Sequence, residues 1–404
     1  MTNITNVTCG RNELSDDQEM FLKNYNWWID MLGHLPVGLI GVVLNSIAMI
    51  VLSTSTMRNN FFNRLLICLA IFDSLYIACE IYEVGRRRYY TSIQQHMFVN
   101  FVYPVRNVCM CCSIYSTIAI TLERYHAITS PAEYRIRGTV NLGKRLLYYM
   151  IPVLVLSNIY YIPKYLDLNV DEKTVCTIGN QTTILNNTNT FNYTNDIDKN
   201  CTTKYPLVPT KLRVHPHYVF WYITISNFVV TCIIPLSTMV YLNCRIAISL
   251  NTFLQRQPST RSNDSTNGGR PQQNIDVRRT FILFSIVIIF VLCHSLRIIL
   301  NFNEFLNLSH FNKEREKGCG GLQFWVEIVV PINQLLIIIS SSANFFVYVF
   351  FDKGFQKVLR HACGFRSEEH TQTMNITTNY GTTVATRIQN SNEIEMSNIN
   401  IDQS

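Results

Sequence analysis

Seven apolar runs of near-membrane length divide this chain, and no other feature restricts its fold so sharply. They are Leu35–Ser53, Leu65–Ile81, Phe101–Leu122, Leu146–Ile162, Phe220–Leu242, Phe281–Leu300 and Phe324–Phe351. A bilayer core takes about 20 apolar residues per helix. A segment crossing it must also satisfy its own backbone amides and carbonyls, which a helix does internally. The expected fold is an all-α membrane protein, a seven-transmembrane helix bundle. Residues are 48% hydrophobic and only 15% charged, and the net charge of +7 is scattered through short links. A scattered charge of that size argues against nucleic acid as a partner.

The links set the orientation. Arg58 and Arg64 follow the first run, Arg135, Arg137, Lys144 and Arg145 the third, and Arg245, Arg256, Arg261, Arg270, Arg278 and Arg279 the fifth. Lys353, Lys357 and Arg360 follow the seventh. All fall on one face, which the positive-inside rule makes cytoplasmic. The opposite face carries acceptor sequences for N-glycosylation at Asn3, Asn6, Asn180, Asn186, Asn192, Asn200 and Asn307. The expected organisation is an extracellular N-terminus over 1–34, a seven-span bundle over 35–351, an amphipathic juxtamembrane segment over 352–363 and a disordered cytoplasmic tail over 364–404. No cleavable signal is visible, so the first run is expected to act as an uncleaved anchor at the plasma membrane. Arg86, Arg87 and Arg88 break the charge bias on the outer side and are expected to lie at headgroup level, or to face an acidic ligand segment.

Polar groups at membrane depth turn inward because lipid cannot satisfy them. Asn45, Asp73, Ser113, Ser340 and Asn344 occupy such positions in four runs. Asp73 requires a proton, a partner or a cation. A ring of those oxygens suits a small hard cation such as sodium, and a protonated Asp73 acting as hydrogen-bonded glue between helices fits equally. At the end of the third run stand Glu123, Arg124 and Tyr125, which on their own mark only where a helix leaves the bilayer.

Taken in order, these pieces resemble the rhodopsin-like (class A) G-protein-coupled receptors. The matching motifs are Gly41-x-x-x-Asn45, Leu69-Ala70-x-x-Asp73, Glu123-Arg124-Tyr125, Pro235 in the fifth run, and Asn344-Phe345-Phe346-Val347-Tyr348 in the seventh. Three stretches resemble the invertebrate FMRFamide-type neuropeptide receptors: Ile159 to Tyr165, Cys293 to Asn301, and the Ser-Ser-x-Asn-Phe form of the seventh run. The resemblance implies an extracellular peptide ligand of RFamide type, a heterotrimeric G protein, and arrestin and a receptor kinase acting on the tail. It implies no cofactor beyond an allosteric sodium ion. It also implies a switch built from Glu123, Arg124, Tyr125, Asp276, His294, Asn344 and Tyr348, with Asp276 pairing to Arg124 at rest. Removing the Asp276 carboxylate is then expected to raise ligand-independent signalling.

The chain departs from that pattern. His294 and Leu296 replace the tryptophan and proline of span six, Phe345 replaces the proline of span seven, and span four lacks its usual tryptophan. Many relatives have a cysteine where Val99 stands, tied to the second outer loop. Here Cys9, Cys176, Cys201 and Cys319 lie on the outer face, and four cysteines allow three pairings. Cys68, Cys109, Cys111, Cys112, Cys232, Cys244 and Cys293 lie in apolar runs and are expected to pack there.

For a ligand with an arginine, an aromatic ring and an amide cap, the candidate contacts are Glu80, Glu83, Arg106, Arg297, Glu304, Glu327 and Asn333. Glu83 or Glu327 would receive the arginine, and Arg297 or Asn333 the amide. The competing arrangement is internal, with Arg106 neutralised by Glu83. Tyr160, Tyr161, Tyr165, Trp221 and Tyr222 are expected in the interfacial belt, or alternatively as aromatic walls. Phe351–Leu359 alternates apolar and basic residues at helical spacing, giving a short amphipathic eighth helix on the membrane lipid, with Cys363 as a palmitoylation site. Threonines in the tail offer phosphorylation sites for arrestin. A different peptide, a small ligand, or a seven-span transporter or channel are the other readings; no internal repeat supports the last.

Overall fold

The computed structural model describes residues 15–89, 91–137, 141–178, 181–186, 200–255, 270–307 and 323–364. It divides into two compact units, Met1–Asp352 and Lys353–Ser404. Seven helices are long and apolar enough to cross a membrane: Asp16–Leu52, Phe61–Arg88, Ser92–Thr129, Leu142–Leu166, Pro216–Ser249, Thr280–Asn303 and Phe324–Phe351. These are spans one to seven below; the end bearing Leu168–Pro209 is labelled outer and the opposite end inner, after the orientation expected from the charge of the links.

The helices outrun the apolar runs, and caps explain why. Span one begins where Ser15 accepts from the Gln18 amide and the Gln18 side chain accepts from Ser15 N–H. Asp16, Asp17 and Glu19 then sit favourably in the first turn. That polar extension is held by span seven: Tyr25 Oη donates to the Ile328 carbonyl at 2.9 Å, and Phe21 packs on Phe324. The same box, built by Thr91 and Gln94, starts span three at Ser92. Hydropathy cannot register these turns, because capping rather than lipid stabilises them.

Packing between lipid-facing helices depends on close fit rather than on a hydrophobic drive. Tyr76, Ile77, Cys109, Met110, Met239, Val287, Phe290 and Ile337 form the central cluster, drawn from spans two, three, five, six and seven. Gly41 allows spans one and seven to meet: a Cβ there would collide with the Ser342 hydroxyl. Of the cysteines expected to pack, Cys109, Cys111, Cys112, Cys232 and Cys293 are buried and Cys68 is partly so, but Cys244 is exposed. Prolines interrupt spans four and seven at Pro152 and Pro331. Wide π-type turns cover Ile29–His34, Phe98–Val102, Val219–Ser226 and Val229–Ile233, so helix irregularity persists although Leu296 and Phe345 replace the expected prolines.

The second outer segment holds strands that its Asn-rich sequence did not suggest. β1 (Leu168–Val170) pairs antiparallel with β5 (Leu207–Pro209). β2 (Lys173–Ile178) lies between β3 (Gln181–Asn186) and β4 (Asn200–Lys204), with Cys176 directly opposite Cys201 in register. Of the glycosylation candidates, Asn186 ends β3, Asn200 begins β4 and Asn307 follows span six, whereas Asn3, Asn6, Asn180 and Asn192 lie outside the described residues. So do Cys9, Cys319 and the tail threonines.

Span three carries the β1–β5 ribbon. Phe98, Val99 and Val102 are buried with Leu168, Val170 and Leu207 against them, so Val99 packs where a disulfide would otherwise anchor the loop. Beside this cluster Asp167 is 0% exposed. Lys164 and Arg213 approach its Oδ2 at 2.9 and 3.1 Å, the Tyr218 hydroxyl donates at 2.6 Å and the Tyr103 hydroxyl at 3.3 Å. Burial alone would raise the Asp167 pKa; Lys164, Tyr218 and Arg213 outweigh it and hold the carboxyl below the ordinary carboxylate value.

In the second unit, Lys353–Ala362 is helical, with Phe355, Val358 and Leu359 alternating with Lys353, Lys357 and Arg360. Cys363 just beyond it is exposed.

Candidate functional site

The inner end of the bundle is closed by charge. Glu123 and Arg124 are 0% and 2% exposed, with Arg124 Nε 2.9 Å from Glu123 Oε2. Arg145 of span four approaches the other Glu123 oxygen at 3.8 Å. The chain breaks at Ser130 and restarts as the helix Pro131–Arg137, where proline suits a first turn. That turn brings the Tyr134 hydroxyl back to donate to Glu123 Oε1 at 2.5 Å. Both cations are capped by rings. Arg124 lies over Phe62 at 4.1 Å, and Arg145 lies over Phe61 and Tyr134 at 4.2 and 4.6 Å. Glu123 is thus ion-paired to Arg124 and hydrogen-bonded by Tyr134. The Asp276 side chain lies outside the described residues. Tyr134 and Arg145 were not foreseen as members; the Ser130-Pro131 break was the available signal for Tyr134.

Midway through the bundle, Asp73 accepts from Ser113 Oγ at 2.6 Å and from Asn344 Nδ2 at 2.9 Å. A cavity of ≈ 30 Å³ runs beside them, lined also by Ser340, Ser341, Phe290 and His294. It has room for about one or two waters or an ion. The expected five-residue ring is only partly assembled. Asn45 directs its amide N–H groups to the carbonyls of Gly41 and Ser341, and Asn344 turns its nitrogen, not its oxygen, toward Asp73. His294 stacks on Phe290, with centroids 4.1 Å apart. Tyr348 is buried.

At the outer end the carboxylates divide. Glu83 is taken by Arg86 at 2.6 Å and Arg87 at 3.5 Å. Arg106 goes to Glu80 at 3.6 Å, so the alternative Arg106–Glu83 pairing does not form. The arginine triplet divides, with Arg86 turned inward and Arg87 and Arg88 exposed at the rim. Arg86 is buried against Gln95 and Phe98, Arg87 bonds Asp30 at 2.9 Å, and Arg88 lies over Trp27. Glu327 has no ion-pair partner among the described residues and lines an outer cavity of ≈ 190 Å³ with Asn26, Asp30, Arg87, Pro331 and Gln334. The side chain of Glu304 lies outside the described residues.

Deeper, Arg297 meets no carboxylate among the described residues; its Nη1 lies 2.6 Å from the Met110 sulfur. Around this level the Tyr161 hydroxyl, His294 Nδ1, Asn333 Oδ1 and Thr224 hydroxyl are buried without partners among the described residues. The aromatic residues separate into two sets. Tyr161 is buried, and Tyr160 and Tyr222 face each other inside, with Tyr222 Oη donating to the Tyr160 carbonyl. Trp221 and Tyr165 are exposed, as an interfacial belt requires.

The described residues thus form a seven-helix membrane bundle with a buried acid–arginine pair at one end. Sequence comparison supplies the class. The profile of the 7 transmembrane receptor (rhodopsin family) matches residues 44–348, and the chain belongs to that family. It is 26% identical over 335 residues to a Drosophila melanogaster protein named FMRFamide receptor, covering 80% of this chain and 51% of that one. It is 22% identical over 333 residues to the FMRFamide peptide receptor frpr-18 of Caenorhabditis elegans, covering 80% of this chain and 67% of that one. The chain thus spans about half the length of the Drosophila relative.

Proposed function

We propose that this protein is a plasma-membrane receptor for an extracellular amidated peptide of RFamide type. Its N-terminus and the strands β1–β5 face outside, and it signals through a heterotrimeric G protein at the Arg124 end. The observation that carries this reading is a pair of charges on the outer side with no ion-pair partner among the described residues. Glu327 in the outer cavity offers a carboxylate for an arginine, and Arg297 deeper in the bundle offers a guanidinium for a terminal carboxamide oxygen. Tyr160, Tyr161 and Tyr222 supply ring surface beside Arg297. Glu80 and Glu83 are engaged internally and hold the frame.

Further features extend the reading. Sodium bound beside Asp73 would take oxygens from Asp73, Ser113 and Ser340, with Asn344 and Asn45 holding the frame by their N–H groups. Of the pairings open to the outer cysteines, the register of β2 and β4 favours Cys176 with Cys201. Arrestin and receptor-kinase contacts fall to the threonine-rich tail, and lipid contacts to the helix Lys353–Ala362 with a palmitoyl group on Cys363.

The deciding experiment expresses the chain in cells and applies Phe-Met-Arg-Phe-amide and Phe-Met-Gln-Phe-amide while recording G-protein activation and membrane current. Activation by the arginine peptide, weaker with glutamine and without direct current, supports the reading. A peptide-gated current without G-protein activation would replace it with a channel, and no response to any amidated peptide would remove the RFamide ligand.

A further inference from the structure

Behind the wall of the outer cavity, His34 of span one is buried, at 3% exposure, between two oxygens. Its Nδ1 lies 2.8 Å from Asp30 Oδ1, and its Nε2 lies 3.0 Å from the Pro331 carbonyl of span seven. A carbonyl only accepts hydrogen bonds, and so does an ionised carboxylate. A neutral imidazole has one N–H, so it satisfies one of these contacts and turns a lone pair toward the other oxygen. Both contacts hold only when the His34–Asp30 pair carries one further proton. Arg87 Nη2 lies 2.9 Å from the same Asp30 oxygen and adds a second donor to that side of the pair.

We propose that His34 is an extracellular proton-binding site that ties span one to span seven and is linked to occupation of the cavity beside it. The inference rests on the peptide-receptor reading for the ligand, whereas the proton site stands on the geometry alone. Histidine changes charge between about pH 5 and 8, the range in which an outer surface can vary.

The linkage has a definite sign. The groups facing His34 are Asp30 from its own span, Arg87 from span two with Glu83 behind it, and the Pro331 carbonyl from span seven. Glu327 lies across the cavity. With the proton bound, His34 and Arg87 balance Asp30 and Glu327. Without it, the cavity gains one net negative charge and the strut to Pro331 or to Asp30 opens. A cationic ligand group therefore binds better to the deprotonated form. Reciprocally, its binding drives the proton off.

The test uses the purified full chain, wild type, His34→Gln and Asp30→Asn, at pH 5.5 and pH 8. The Asp30→Asn variant is informative because an asparagine amide donates to a neutral imidazole. It keeps the strut and removes the need for the proton. Without ligand, the wild type gains about 2 °C of thermal midpoint on acidification relative to both variants. The affinity for Phe-Met-Arg-Phe-amide falls about fivefold more on acidification in wild type than in either variant, at the lower end of ordinary coupling. The peptide's own titration is common to all three proteins and cancels. Equal pH responses in the ligand-free melts overturn the proton site, and a difference in melts with equal responses in affinity overturns the linkage. If the peptide binds none of the three at any pH, the ligand assignment fails while the melts still decide the proton site.

Discussion

The two ends of the bundle treat charge in opposite ways. At the inner end Glu123 is shared by Arg124, Arg145 and Tyr134, and the arginines are covered by Phe61 and Phe62. At the outer end Glu327 and Arg297 have no ion-pair partners among the described residues, and several buried polar atoms wait beside them. Buried unpaired charge is costly. Among the described residues the charges at the inner end are ion-paired while Glu327 and Arg297 are not, and the proposed switch and recognition surface rest on that contrast. Signalling then means shifting a population between two packings, by as much as the ligand's differential affinity allows.

The strongest way to break this contrast is to open the closed end. Removing one member of a buried pair costs about 3–5 kcal/mol, because the other charge is stranded. Glu123→Gln strands Arg124 and Arg145 together in the resting form. Ligand-independent nucleotide exchange on the G protein is expected to rise at least tenfold per receptor, with reduced expression. Basal activity equal to wild type would mean that the lock does not hold the resting state.

The matching experiment closes the open end. Glu327→Gln is expected to weaken an arginine-containing amidated peptide by about 10–100-fold, corresponding to about 1.4–2.8 kcal/mol, with basal signalling unchanged. Glu83→Gln should do the reverse, lowering thermal stability through Arg86 and Arg87 while sparing intrinsic affinity. Equal potency losses in radioligand competition at the two sites would erase the distinction between structural and vacant carboxylates.

The inner end was much the more legible in the sequence. Glu123, Arg124 and Tyr125 are adjacent, so one motif at the end of an apolar run marked the ion pair, whereas Asp73, Ser113 and Asn344 stand on three spans and were legible only as polar residues at membrane depth. The spans themselves follow from hydropathy, which is local. What hydropathy missed was set by caps and by distant pairing: Ser15 and Thr91 starting helices early, strands β1–β5 inside an Asn-rich loop, and Arg86 turning inward instead of toward lipid. At the outer end Glu80, Glu83 and Glu327 look alike on paper. Only the packing of spans one, two, three and seven decides that two are engaged and that one has no ion-pair partner among the described residues. His34 carried no sequence signal at all, since its partners are four residues away on one side and on another span on the other.

A third prediction concerns how the outer end keeps its shape without the usual disulfide at Val99. Asp167→Asn should cost about 1–2 kcal/mol in thermal stability, because hydrogen bonds to a charged acceptor are lost or weakened. The Asp167 pKa is lowered on folding, so its stabilising effect is fully present above the ordinary carboxylate value near about 4 and disappears as pH falls through its lower folded value. The gap between wild type and Asp167→Asn should stay constant from about pH 5 to 8 and shrink below about pH 4. A gap that instead changes between pH 6 and 8 would assign the clasp to another titrating group.

The smallest effect returns to the inner end and tests whether its closure is shared or rests on the ion pair alone. Tyr134→Phe deletes one O–H donor and keeps the ring that caps Arg145. The net worth of such a bond is about 1 kcal/mol, or roughly fivefold in basal activity. Burial, and then the Glu123 charge, push the Tyr134 pKa above its usual value, so the hydroxyl stays protonated and donating throughout the physiological range. The fivefold rise should therefore be the same at pH 6 and pH 8. In a Glu123→Gln background the same substitution should add little, because the acceptor charge that makes Tyr134 useful is already gone. Full additivity of the two would separate Tyr134 from the lock and leave Arg124 and Arg145 as the only groups through which Glu123 acts.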